Sequence, residues 1–332
     1  MIRTAFAVTL TIAYILLVGT PLLIYSLISG DPRPLYRTGV RGCRFAVRLA
    51  GVRLEVIGRE KIPAGRAVVF MANHQSMCDP PALISVLPRI RVLLKKELFR
   101  IPILGRGMKI SGFIAVDRAN RERSMQAVDE AVAALKAGDS FLVYPEGTRT
   151  PDGRLLPFKK GAFVLAIKAQ ALIVPISLSG GTRILRKGQS TIRPGTLRIT
   201  IHDPIETAGY AVEDRKEVIK LVRAAVIAGL AEEELPLAPE KAAEELRPLH
   251  GIASGGQHEI LTLHGFTRSD VDGEFVLYEH PTQGTLHTFP DGSWKHVTRE
   301  GREASGTGAE QLEQRLAEME SEEGSGELRK PH

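Results

Sequence analysis

Ala67-Val68-Val69-Phe70-Met71-Ala72-Asn73-His74-Gln75-Ser76-Met77-Cys78-Asp79-Pro80-Pro81 reads as an apolar strand that runs directly into a polar turn. The turn sets an imidazole and a carboxylate five positions apart, a spacing that does not share a helix face. Pro80 favours the first position of a helix over 80–87, and residues before proline avoid α geometry, so the chain bends between His74 and the helix. Neutral imidazole takes a proton from a hydroxyl near neutral pH. A carboxylate on its other ring nitrogen fixes the tautomer and stabilises the imidazolium. Taken alone the pair is barely above a chance His–Asp, because Asp79 also suits the N-cap of that helix. Cys78 offers a nucleophile for an acyl-thioester, but a buried thiol packing beside Met77 is the preferred reading.

Outward from this stretch, strands and helices alternate from Leu54 to His202. Strands are expected over 54–57, 67–72, 91–94, 113–116, 140–144, 173–179 and 197–201, with helices over 80–87, 104–109, 121–137 and 161–169 between them. A further helix is expected over 212–230. The alternation predicts an α/β fold, a mixed central sheet flanked by helices. Three more polar segments follow apolar runs: Lys95 to Gly105 leading to Arg118, Tyr144 to Arg149, and Val174-Pro175. Cations at neighbouring strand ends converge on the sheet edge where α/β proteins bind ligands. Arg118 and Arg149 suit a phosphate through their forked guanidinium groups, and Lys95 as a point charge. Glu146 would accept from a substrate hydroxyl or hold Arg149, and Gly147 would allow a tight turn. For any one of these residues alone, a surface salt bridge is the better reading.

Residues 4–30 carry no charged side chain, long enough for a membrane-spanning helix. Only Arg3 precedes them and no small-residue cleavage site follows, which argues against a signal peptide. Pro21 predicts either one kinked spanning helix or a hairpin of two short helices. Arg37, Arg41, Arg44 and Arg48 then fall on one stripe of a helix, a surface suited to anionic headgroups. The chain divides into a membrane anchor with this basic helix (1–50), an α/β domain (51–235), a linker (236–257) and a small α+β accessory module with an acidic tail (258–332). In the last, strands are expected over 274–278, 285–289 and 293–297, with a turn at Asp291-Gly292 and a helix over 309–322. His258, His264, His280, His287 and His296 fit no metal-ligand spacing and are expected at the surface.

The 332 residues carry a net charge of +6, a basic balance suited to an anionic partner. An aromatic content of 5% and the apolar N-terminal segment argue against nucleic acid. Two cysteines, Cys43 and Cys78, supply no disulfide framework.

Together the four blocks resemble those of the glycerolipid acyltransferases, in particular the 1-acyl-sn-glycerol-3-phosphate acyltransferases. Asn73, His74 and Asp79 match Asn-His-x4-Asp. Lys95, Leu98, Pro102 and Gly105 match Lys-x2-Leu-x3-Pro-x2-Gly, with Arg118 ending that block. Pro145-Glu146-Gly147-Thr148-Arg149 and Val174-Pro175 supply the rest, with Tyr144 where phenylalanine is commoner. The resemblance implies acyl transfer from acyl-CoA or acyl-ACP to lysophosphatidic acid, giving phosphatidic acid. His74 and Asp79 would be catalytic, and Asn73, Lys95, Arg118, Glu146, Gly147, Thr148 and Arg149 would bind substrate. It further implies no metal, no cofactor beyond the acyl donor as co-substrate, and a membrane location with the site on the cytoplasmic face. Another lysolipid or glycerol 3-phosphate as acceptor, a thioesterase-type hydrolase and a membrane-docked scaffold are the competing readings.

Overall fold

In the computed structural model the chain forms two compact units, Met1–Pro236 and Leu237–His332. The structure describes residues 2–117 and 120–236 of the first. In the second it describes the strands 267–272, 275–280, 284–288, 293–297 and 303–307, with residues 311, 312 and 314.

The first unit opens with α1 (Ile2–Tyr14), a π-helical turn (Ile15–Gly19) and α2 (Thr20–Ser29). They run on as one apolar helix, Arg3–Ser29, of 27 residues and mean hydropathy 2.2. At 1.5 Å per residue it is about 40 Å long, more than a hydrocarbon core of about 30 Å. Pro21 therefore does not split it into a hairpin of short helices. The wider turn before Pro21, closed by the Thr20 N–H donating to the Ile15 carbonyl, absorbs the lost hydrogen bond and the ring clash. The helix has the length and composition to cross a membrane, and only 11% of its most apolar window is buried.

After α3 (Arg33–Leu49) come β1 (Val52–Ile57), β2 (Val68–Ala72), α4 (Asp79–Val86), β3 (Ile90–Lys95), α5 (Leu104–Ile110) and β4 (Ile114–Val116). They are followed by α6 (Arg121–Lys136), β5 (Ser140–Val143), α7 (Gly161–Ala169), β6 (Leu172–Ser179), α8 (Gly181–Ile184), β7 (Gly195–Ile201) and α9 (Arg215–Ala228). All seven strands expected in this unit are present, in one sheet of order β1-β7-β6-β2-β5-β3-β4. Neighbours run parallel except β6 and β7, so the sheet is mixed.

β2 lies between β6 and β5, and every residue of it is buried. Val68, Phe70 and Ala72 pack with Val47 of α3 and Ala82 and Leu83 of α4 on one face. Val69 and Met71 pack with Ala131 of α6, Phe163 of α7 and Val222 of α9 on the other. Cover on both faces is why the sequence here is apolar without alternation. Because β2, β5 and β3 are parallel, the segments that leave them at Asn73, Tyr144 and Lys95 emerge at one sheet edge.

The described part of the second unit is an antiparallel meander of β8 (Thr267–Asp272), β9 (Phe275–His280), β10 (Gly284–Thr288), β11 (Ser293–Val297) and β12 (Glu303–Thr307). The sequence predicts only three of these strands. β8 and β12 are polar and show no apolar run, so main-chain pairing decides them rather than patterning. His296, expected at the surface, is buried. The expected turn at Asp291-Gly292, the linker after Pro236 and most of the helix over 309–322 lie outside the described residues.

Gly105 sits in the first turn of α5, where an added Cβ would clash with the Phe99 carbonyl oxygen. Gly105→Ala is expected to destabilise the fold by about 1–3 kcal/mol, an overpacking cost with backbone on the other side. A lowered thermal midpoint checks this; an unchanged midpoint would mean that the 99–105 turn yields freely.

Candidate active site

The turn after β2 places His74 and Asp79 in direct contact, with Nδ1 2.8 Å from Oδ2. The contact works because Asp79 begins α4 and its carboxylate reaches back over the turn. The same Oδ2 accepts the main-chain N–H groups of Gln75 and Ser76, each at 2.7 Å. Asp79 is fully buried, and a carboxylate there is an acceptor only. The proton of the pair therefore sits on Nδ1 and leaves the lone pair on Nε2. Oδ1 has no hydrogen-bond partner among the described residues. Gly181 of α8 passes close to it, and a Cβ there would meet Oδ1 at 3.0 Å. Gln75 braces the turn from the other side, donating to the Gly153 carbonyl and accepting from the Gly181 N–H.

The segment after β5 holds the main chain of His74 from both sides. Glu146 Oε1 accepts the His74 N–H at 2.5 Å, and the Thr150 N–H donates to the His74 carbonyl at 2.9 Å. Glu146 Oε2 accepts from Leu156 N–H at 2.8 Å. Each Glu146 oxygen thus accepts from main chain, and no ion pair joins Glu146 to Arg149 among the described residues. Burial pushes its carboxyl up to about 8, against the pull of those two N–H groups and of Arg223. Asn73 is buried and also bonded to main chain. Its amide donates to the Leu178 carbonyl and its oxygen accepts the Leu178 N–H, so it pins β2 to β6.

The Tyr144 ring stacks on the imidazole, with centroids 4.1 Å apart and planes 22° apart. Its hydroxyl is buried with no partner among the described residues, and burial, then the nearby Asp79 charge, raises its pKa. Gly147 follows with φ +74, a conformation glycine adopts without strain, and Lys159 passes over it. Thr148 accepts from Lys187 at 3.4 Å. Arg149 is half-buried and Lys95 exposed; neither has an ion-pair partner among the described residues. Lys95 ends β3, two strands from β2 and so about 10 Å across the sheet. Its neighbour Lys96 is instead tied to Asp117 at 2.7 Å. Arg118 lies outside the described residues. Cys78 is buried, and that burial raises its thiol pKa, which suits packing rather than nucleophilic chemistry.

A model of the acyltransferase family matches residues 53–179. The 1-acyl-sn-glycerol-3-phosphate acyltransferase of Limnanthes alba is 32% identical over 191 residues, 57% of this chain and 67% of that protein. The chloroplastic enzyme of that name from Arabidopsis thaliana, LPAT1, is 35% identical over 155 residues, 46% of this chain and 44% of its own. The crystal structure of the 1-acyl-sn-glycerophosphate (LPA) acyltransferase PlsC from Thermotoga maritima aligns with a TM-score of 0.61 at 28% identity. It covers 74% of this chain and 95% of that one. This chain belongs to the 1-acyl-sn-glycerol-3-phosphate acyltransferase family. It spans from 44% to 67% of the length of the curated relatives that it matches.

Within this acyltransferase domain, several site residues carry no signal in the sequence. Thr150 and Gly181 act through their main-chain N–H groups, and Gln75 through a side-chain amide that bonds only to main chain. Arg223 arrives from α9, donating to the Leu156 carbonyl at 2.8 Å and lying over the Phe158 ring at 5.4 Å. Tyr144 was visible only as an aromatic residue before Pro145.

The raised Glu146 pKa has a definite sign. The folded chain holds this proton more tightly than the unfolded one, so the stability it contributes is complete below the ordinary value of 4.5 and is lost as pH rises through about 8. Glu146→Gln removes the titration. The melting temperature of the wild type is expected to fall relative to that variant as pH rises across this window, measured by thermal melts at several pH values. A difference independent of pH would rule out the buried titration.

Proposed function

We propose that this chain transfers a fatty acyl group from an acyl thioester, acyl-CoA or acyl-ACP, to the sn-2 hydroxyl of 1-acylglycerol 3-phosphate. The product is phosphatidic acid, formed at a membrane surface in phospholipid synthesis. The observation that carries this reading is the 2.8 Å contact of His74 Nδ1 with Asp79, which leaves Nε2 as a free base. Nε2 takes the proton of the acceptor hydroxyl as that oxygen attacks the thioester carbonyl carbon. The tetrahedral adduct then collapses, the C–S bond breaks, and the imidazolium returns its proton to the departing thiolate. Asp79 stabilises the imidazolium between the two transfers. No acyl-enzyme forms on this route, in keeping with the buried thiol of Cys78.

Lys95 and Arg149 hold the acceptor phosphate, Arg149 through two parallel N–H bonds and Lys95 as a point charge. Their lack of carboxylate partners among the described residues supports this role. The relatives' names supply the acceptor, and the apolar helix Arg3–Ser29 supplies the means of reaching a lipid substrate.

His74→Ala is expected to lower kcat by at least about 10²–10⁴-fold, the usual worth of a positioned base, while binding of the lysolipid survives. Assay of the purified full chain with a labelled acyl thioester and lysophosphatidic acid checks this, and near-normal turnover would remove His74 from the chemistry. Arg149→Ala is expected to raise KM for lysophosphatidic acid about tenfold or more with little change in KM for the thioester. An equal rise for both substrates would place Arg149 elsewhere in the reaction.

A further inference from the structure

A second cationic site lies at the opposite end of the fold. A cleft of about 290 Å³ is lined by Tyr36, Arg37, Val40, Arg41 and Arg44 of α3 and by Leu87, Pro88 and Arg89, which connect α4 to β3. Four guanidinium groups thus surround one concavity, with no acidic residue in its lining. None of the four has an ion-pair partner among the described residues. Asp31, the nearest acid along the chain, is already taken by Arg33 at 2.8 Å.

The walls are built rather than loose. The Tyr36 hydroxyl donates to the Ile90 carbonyl at 3.1 Å and accepts the Ile90 N–H at 2.9 Å. Arg89 lies over the Tyr36 ring at 5.7 Å, and Arg44 Nε donates to the Ser85 carbonyl at 3.0 Å. Holding four like charges around one cleft is unfavourable unless an anion neutralises them, and guanidinium forks match phosphate oxygens. The cleft cannot be the acceptor site. It lies beyond the C-terminal end of α4 and before the first residue of β3, whereas His74 and Lys95 lie at the other ends of those elements. The length of α4, about 12 Å, separates the two.

What lies beside the cleft indicates the source of the anion. The apolar helix crosses α3 on the adjoining stripe: the Tyr14 hydroxyl donates to the Thr38 carbonyl at 3.1 Å, and Tyr14 meets Phe45 at 5.7 Å. The bare Cα of Gly42 lets the Tyr14 ring approach, since a Cβ there would stand 2.8 Å from it. Beyond this crossing, Leu17 and Ile28 stand 75% and 82% exposed. Only three residues, Gly30 to Pro32, separate that helix from α3. Uncovered apolar surface next to unpaired arginines is the pattern of a lipid interface, where chains meet the first and phosphates the second. A soluble phosphate would gain nothing from the apolar neighbour.

We infer that the Arg37–Arg41–Arg44–Arg89 cleft binds the phosphate of an anionic phospholipid headgroup, as a site separate from the one that binds the acceptor. The inference rests on the reading of Arg3–Ser29 as a membrane element and is independent of the acyl-transfer reading.

The test is saturable binding of labelled phosphatidylglycerol, against phosphatidylcholine, to the detergent-solubilised full chain. Arg37→Gln with Arg89→Gln is expected to weaken phosphatidylglycerol binding about thirtyfold, for two arginines at a lipid phosphate. Arg59→Gln with Arg198→Gln removes the same net charge outside the cleft and outside α3, and is expected to change it less than about twofold. Arg41→Gln alone, with a melting curve, keeps the test standing if the double variant unfolds. Equal losses in both double variants would reduce the cleft to bulk charge and overturn the assignment. Displacement of the lipid by millimolar inorganic phosphate would assign the cleft to a soluble anion and overturn it as well. Acyl transfer measured in the same micelles reports on the proposed function separately, so the two readings fail independently.

Discussion

The Asp79 carboxylate is the constraint on which the site depends. One buried oxygen gathers His74 Nδ1 and two main-chain N–H groups, and those bonds fold the turn after β2. A buried carboxyl group without such partners is costly, and the turn supplies them. Its place in the first turn of α4 adds the favourable end of a helix dipole. The spacing of five residues then follows from geometry. The carboxylate must reach back from the helix start to N–H groups three and four residues earlier, and the imidazole lies one residue further.

Most of the remaining polar residues near the site hold main chain in place. Asn73 pins β2 to β6, and Glu146 with Thr150 fixes the main chain of His74 to the loop after β5. Gln75 ties the same turn to Gly153 and Gly181. Each of these bonds is buried or half-buried, so losing one partner strands the other at about 1–3 kcal/mol. A base acting on a hydroxyl as proposed would gain from this rigidity, because small misplacement of a catalytic group is costly in rate.

The sequence made the sheet legible wherever burial on two faces left an unbroken apolar run, as in β2 and β6. It failed at β8 and β12, whose polar residues pair through main chain alone. Around the site, the contact of His74 with Asp79 was legible because residue type and turn chemistry pointed to it together. The role of Glu146 was not, since its partners are main-chain N–H groups on two different segments, which side-chain patterns do not encode. The arginine cleft was half legible for a similar reason. The stripe on α3 was visible in the spacing, but Arg89 joins it only through the packing of Tyr36 against Ile90.

Tyr144 shows how the fold limits the way a substrate can approach. The lone pair of Nε2 lies in the plane of the imidazole. The Tyr144 ring covers one face, and Asp79 holds the Nδ1 edge. Only 15% of the His74 side chain remains exposed, and in the proposed reaction the hydroxyl would approach away from the face that Tyr144 covers. In-plane approach is what proton transfer to a nitrogen lone pair requires, and a misdirected acceptor gains nothing from the base. The stacked aromatic ring thus selects direction, while the carboxylate selects tautomer. Neither task is set by the number of residues between His74 and Asp79. Both need β2 and β5 as neighbours in the sheet, so that the two turns leave the same edge side by side.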